Sequence, residues 1–563
     1  MKFPDSCLIK DNPPLFNRWV PVWLGTLALV LLLIPATLIS GAYSSNISEM
    51  SSGMGILSEH IMFANFASAC GLMIAGPFVF HIVRVFRFRD LLLSGFLMLM
   101  ALSGICALTD SVALIVVCNF LMGIVRVTVI LTVIFSIAEG VIGVNVSYVL
   151  APPEATPQEQ IEEMNITRGM ALNLLYMLFL SIGQLGNYVT SYVAYHYRWQ
   201  YSYLVVMGVA IIAMLIVLVL LVPDRERGRV ELALPSICQA IPYALLFISV
   251  CYIFTYGKTY DWFDDTRISI AACTAVLSMG VLFLQHAQCK SHLIDFSALM
   301  RNGVVFALIG FFLVMFLSSS SALVSAIMGL GVKLDTIQSA GIAKWQFAGF
   351  VLGALLNIVM IKKECHARWI AALGFSLITL SAVLLYFRFQ TMIEFSQVYL
   401  PTFLRSTGML MLYAYCGYYG ILKLQDANRQ IGTWIFLMLA FRGVMGPVVG
   451  ASAYSNAIYH RTQHYVERFA AESDATSEAA VTFNRTRMGM MMQGRSYDEA
   501  TQMASMSAKG SIQVQATLVA LKEISGWTIY GGIACVAFVL LFPYEGYKHK
   551  SVNTKAKDEQ IHS

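Results

Sequence analysis

Charge is what this chain has least of. Only 12% of its 563 residues are Asp, Glu, Lys or Arg, about half of the roughly 25% usual in soluble domains, which excludes a water-soluble multidomain enzyme. Reaction motifs are missing too: there is no His-Glu-x-x-His zinc helix, no phosphate-cradling Gly-Lys loop and no nucleophile elbow. Without a phosphate loop an ATP-driven pump is ruled out, and uphill movement has to draw on an ion gradient. The eleven cysteines show no pairing pattern and sit mostly in apolar runs, where a thiol acts as a small hydrophobe. Neither a disulfide scaffold nor redox chemistry is expected, and no metal or cofactor is implied. The net charge of +5 reads as a consequence of membrane topology, so no nucleic-acid partner is expected.

What the chain has instead is apolar length, with 58% hydrophobic residues and a mean hydropathy of +0.69. A helix needs about 20 apolar residues to cross the hydrocarbon core. Fourteen such runs are present, near 19–42, 59–82, 90–109, 111–138, 170–194, 200–222, 237–256, 268–286, 303–326, 345–361, 369–387, 397–421, 430–455 and 526–543. Lys and Arg concentrate on the short segments that share a side with the N-terminus, so the positive-inside rule places both termini in the cytoplasm. All eight tryptophans fall at or near predicted span ends, as an interfacial aromatic belt requires.

Three polar stretches interrupt the spans. Residues 141–168 read as a Pro-initiated surface helix and 287–302 as an amphipathic linker. Residues 456–525 form an outer helical hairpin, because Arg461, Arg468, Arg485, Arg487, Arg495 and Lys509 break every apolar run there. Its methionines, Met488 to Met506, read as a packing surface for another protein.

The order of landmarks resembles the 14-helix drug:proton antiporter branch of the major facilitator superfamily along nearly the whole chain. Tyr197-Arg198-Trp199-Gln200-Tyr201 opens span six and Val222-Pro223-Asp224-Arg225-Glu226-Arg227 closes it. Tyr256-Gly257 and Asp261-Trp262-Phe263-Asp264 lie between the two extra spans. Pro401, Arg405 and Gly408 fall in span twelve, and Arg442 with Gly446-Pro447-Val448-Val449-Gly450 in span thirteen. The departures lie in the coupling motifs. Gly76 and Arg84 are kept after span two, but Phe80 and Val83 stand where the family has Asp and Gly. Pro35 takes the place of an intramembrane Asp, Asn119 and Met122 precede Gly123 in span four, and span five reads Gly183-Gln184-Leu185-Gly186-Asn187-Tyr188.

The resemblance implies an all-α major facilitator fold of 6+2+6 helices: an N-terminal bundle at 1–222, a two-helix insert with its linker at 223–302, and a C-terminal bundle at 303–563 that includes the outer segment. It also implies alternating access by rocking of the two bundles. An arginine at mid-bilayer costs about 2.5–3.5 kcal/mol on insertion scales, which marks Arg126, Arg405 and Arg442. Arg126 lies about 20° and about 10 Å from Asn119 on one helix, and Arg126 and Arg405 would be symmetry mates. Arg442 precedes the Gly446-Pro447 bend, with Gly443 and Gly450 expected to pack closely. Glu139 is the candidate proton carrier, and Gln184 and Asn187 share one face of span five.

The leading expectation is a transporter in the bacterial inner membrane that exports amphipathic drugs or other organic compounds in exchange for protons. Residues 456–525 could then dock a periplasmic adaptor protein. A carrier of a defined organic anion or metabolite is the second reading, favoured by the arginines and the missing span-one carboxylate. A non-transporting sensor or scaffold on a degenerate transporter fold is the third.

Overall fold

The computed structural model describes residues 15–44, 46–141, 158–223, 237–288, 292–300, 302–332, 336–390, 393–424, 427–472 and 478–542. Both chain ends, and most of the expected surface helix at 141–168, lie outside that set.

In hydrocarbon a backbone must satisfy its own hydrogen bonds, so apolar runs of this length become helices. The N-terminal bundle contains α1 (Val22–Leu31), α2 (Leu33–Ser44), α3 (Ile47–Met54), α4 (Ser58–Val85), α5 (Phe88–Leu108), α6 (Val112–Phe135), α7 (Gln158–His196) and α8 (Gln200–Leu220). The insert is α9 (Ile237–Tyr256) and α10 (Thr266–Gln288). The C-terminal bundle contains α11 (Asn302–Ser318), α12 (Ser321–Ile327), α13 (Thr336–Ala340), α14 (Ala343–Lys362), α15 (Ala367–Arg388), α16 (Tyr399–Leu422), α17 (Ala427–Leu439), α18 (Gly446–Ala471), α19 (Glu478–Met492) and α20 (Tyr497–Leu541). The first span is broken at Leu32, four residues before Ala36, because Pro35 cannot donate to the carbonyl of Leu31.

Thirteen helices among the described residues are long and apolar enough to cross a membrane, one fewer than the sequence predicts. The difference is α16. Its 24 residues reach about 36 Å at 1.5 Å per residue, but five tyrosines and Arg405 dilute its apolar character. Two other elements run on past their predicted ends. Span five begins at Gln158 within the 39-residue α7, so the acidic stretch before it is continuous with the membrane helix. The last span is the distal end of the 45-residue α20.

The two bundles repeat one packing scheme. In the first, α4 packs on α6 and α5 on α8; in the second, α14 packs on α16 and α15 on α20. Small residues permit the closest of these approaches. A Cβ on Gly123 would overlap the Ser68 carbonyl of α4, and one on Gly353 would stand 2.7 Å from the Thr407 carbonyl of α16. The bundles meet along two seams, α7 against α14 and α16, and α4 against α17. Helix α9 covers the second seam. It meets α4 through Phe63–Tyr252 and the 3.7 Å pair of Cys70 and Cys251 Sγ atoms, and it meets α17 through Tyr243 and Phe247 against Phe436.

Candidate functional site

Span thirteen is not a plain α-helix. Residues Ala440–Met445 form a π-helical turn, and the Gly446 N–H reaches back to the Phe441 carbonyl. Pro447, which has no N–H to give to Gly443, stands just beyond it. This turn carries Arg442 to the first seam. Its guanidinium lies 4.5 Å from the ring centre of Tyr413 on α16 and 5.4 Å from that of Tyr176 on α7. The two rings meet edge to face at 5.4 Å, and the Tyr176 hydroxyl donates to Met438 Sδ at 3.3 Å. A cation over aromatic faces gains about 0.5–2 kcal/mol as desolvation rises. Arg442 keeps partial exposure, so its outer face can meet a further group.

One turn along α7 lies a second contact between the bundles. Asn173 Nδ2 donates to the Ala354 carbonyl at 2.9 Å, while Asn357 Nδ2 donates to Asn173 Oδ1 and to the Met411 carbonyl, both at 3.1 Å. Both side chains are buried. The seam therefore holds an amide clasp beside a cation held between two phenols.

The other predicted residues are placed separately. Arg126 donates from Nε to the Ala36 carbonyl at 2.8 Å and from Nη1 to Ser68 Oγ at 3.2 Å, joining three helices of the first bundle. Asn119 is fully buried and donates to its own helix at the Ile115 carbonyl, 2.7 Å away. Arg405 is buried within the second bundle, with Tyr454 of α18 as its electrostatic neighbour. Glu139 lies in a π-helical turn, Ser136–Val141, at the end of α6. Gln184 accepts from Asn187 Nδ2 at 3.5 Å on α7. Gly76 faces Ile435 and Leu439 across the α4–α17 seam, Gly446 meets Met315, and Gly450 meets Ser319. Gly443 and Gly183 have open space where a Cβ would stand, so the expected close packing at Gly443 is absent: the π-helical turn directs that position away from its neighbours. The Arg84 side chain lies outside the described set.

Sequence reasoning missed Tyr176, Tyr413, Asn173 and Asn357, which are unremarked polar breaks in apolar runs. It also missed a small cavity of about 40 Å³ between α4, α9 and α18, lined by Glu59, Thr255, Lys258, Ser452 and Asn456 among others. Beside it His60 Nδ1 and the Tyr256 hydroxyl stand 2.6 Å apart.

Against known proteins, no family model and no curated protein matches. Among solved structures, the chain is similar to a peptide transporter POT in complex with sulfate, at 12% identity over 91% of this chain and 94% of that one, with a TM-score of 0.50. At this identity the likeness is one of fold alone. An auto-inhibited POT family peptide transporter covers 93% of this chain and 98% of its own at 10% identity, with a TM-score of 0.49. The human organic anion transporter MFSD10 (TETRAN) covers 77% and 93% at 14% identity, with a TM-score of 0.44. The thirteen described helices suited to crossing a membrane make this a multi-pass membrane protein.

Proposed function

We propose that the protein is a secondary active transporter that carries an organic anion by alternating access, with Arg442 receiving the anionic group. The observation that supports this reading is the placement of Arg442 between Tyr176 of one bundle and Tyr413 of the other. A cation at the junction of two moving bodies can hold an anion in one arrangement and release it when the rings part. The phenol faces suit an aromatic or otherwise apolar body on the same substrate. Export of cationic drugs is the weaker reading, since the groups meeting at the seam are a cation, two phenols and two amides. Helix α16 serves as the fourteenth crossing, and the bundles 1–222 and 303–563 rock about the insert 223–302.

Glu139, at the end of α6, is the group we assign to proton coupling, and the outer segment 456–525 to an adaptor protein at a bacterial inner membrane. Substrate choice is tested by flux into liposomes of an aromatic carboxylate dye and of a cationic dye. Arg442→Gln is expected to cut carboxylate flux roughly 10–100-fold, as loss of a hydrogen bond to a charged group implies. Unchanged carboxylate flux, or transport of the cationic dye alone, overturns the reading.

A further inference from the structure

Arg405 poses a separate question. It is 6% exposed, and its Nη1 has no hydrogen-bond partner among the described residues. One turn before it on α16, Thr402 is 2% exposed, and its hydroxyl is likewise without a partner. Residues three apart share a helix face, so two sealed donors stand together near the start of α16. A buried guanidinium without a counter-charge is strongly unfavourable, and no carboxylate among the described residues pairs with it. Glu394, in the loop before α16, is exposed and bonded to Ser396 instead. The α16 N-terminus has no side-chain cap, so no acidic cap faces the guanidinium from there either. Tyr454, the electrostatic neighbour, already shares its hydroxyl with Thr528 Oγ1 at 2.9 Å.

We propose that Arg405 and Thr402 form a buried site for a small monovalent anion inside the C-terminal bundle, apart from the seam at Arg442. One uncompensated guanidinium calls for one negative charge. Burial away from the seam excludes the carboxylate of a bulky substrate and leaves an anion of chloride size. The guanidinium N–H and the Thr402 hydroxyl donate to it. This site does not rest on the organic-anion reading of the seam and would serve a transporter of any substrate.

The test measures the unfolding temperature of the purified full-length chain as sodium chloride replaces sodium gluconate at constant ionic strength. The wild type is expected to rise saturably by roughly 2–5 °C, as binding to the folded state alone requires. Thr402→Val should weaken the half-saturating chloride concentration several-fold, Arg405→Lys should shift it, and Arg405→Gln should remove the response. Arg442→Gln should keep the response while losing dye flux, which separates failure here from failure of the seam reading. Benzoate should not replace chloride. No chloride response in the wild type, or an equal response in Thr402→Val and in either Arg405 variant, overturns the site; if Arg405→Gln does not fold, Thr402→Val and Arg405→Lys decide.

Discussion

The two bundles carry an arginine in corresponding helices, α6 and α16, and treat it in opposite ways. In the first, Arg126 ties the Ala36 carbonyl of α2 and the Ser68 hydroxyl of α4 to α6, so the cation acts as a cross-brace. In the second, Arg405 is more fully buried than Arg126, and its Nη1 has no partner among the described residues. The repeat of helix packing was kept while the repeat of polar chemistry was not. Position in a symmetric fold therefore does not fix a role; the partners within reach do.

The sharpest break in this comparison should come from glycines. Gly123→Leu would drive a side chain into the Ser68 carbonyl, whereas Gly183 has nothing within 4 Å. Gly123→Leu is expected to abolish recovery of monodisperse protein on size-exclusion chromatography, and Gly183→Leu to leave it intact. Next come the arginines themselves. Arg126→Met strands a carbonyl and a hydroxyl and should destabilise by about 1–3 kcal/mol. Arg405→Met removes an uncompensated charge and should be neutral or stabilising by about 1–4 kcal/mol when measured in gluconate. Thermal unfolding of both variants checks the opposite signs. Smaller again is the clasp: a double-mutant cycle of Asn173→Ala and Asn357→Ala should give a coupling of about 0.6 kcal/mol, with an upper bound near 1.7. Smallest is Met492→Ala, at a position 87% exposed at the end of α19, expected within about 0.5 kcal/mol of wild type.

Most of the architecture was legible because apolar runs are long and their breaks are charged. Thirteen of the fourteen spans therefore appear at the predicted places, and α16 falls short because five tyrosines and Arg405 dilute its apolar character. Span ends were less legible. Hydropathy registers where lipid stops, but α18 and α20 continue as helices through polar sequence to Ala471 and from Tyr497. For the site, the arginines stood out since a charge within an apolar run is visible in one dimension. Their partners did not: Tyr176 and Asn173 differ little from other polar residues in helices until α16 and α14 are brought against them. Pro447 announced a bend, and the π-helical turn that aims Arg442 follows from the same missing N–H.

The continuous 45-residue length of α20 has a mechanical corollary. At 1.5 Å per residue it extends about 68 Å, while the hydrocarbon slab is about 30 Å thick, so more than half of the rod projects beyond the bilayer. Ion pairing of Arg461 with Glu523 at 3.3 Å and stacking of Arg461 on Trp527 at 4.9 Å fasten α18 alongside it. A lever of this kind magnifies: swinging the embedded portion by about 10° would sweep its far tip through roughly 7 Å, given that projecting length.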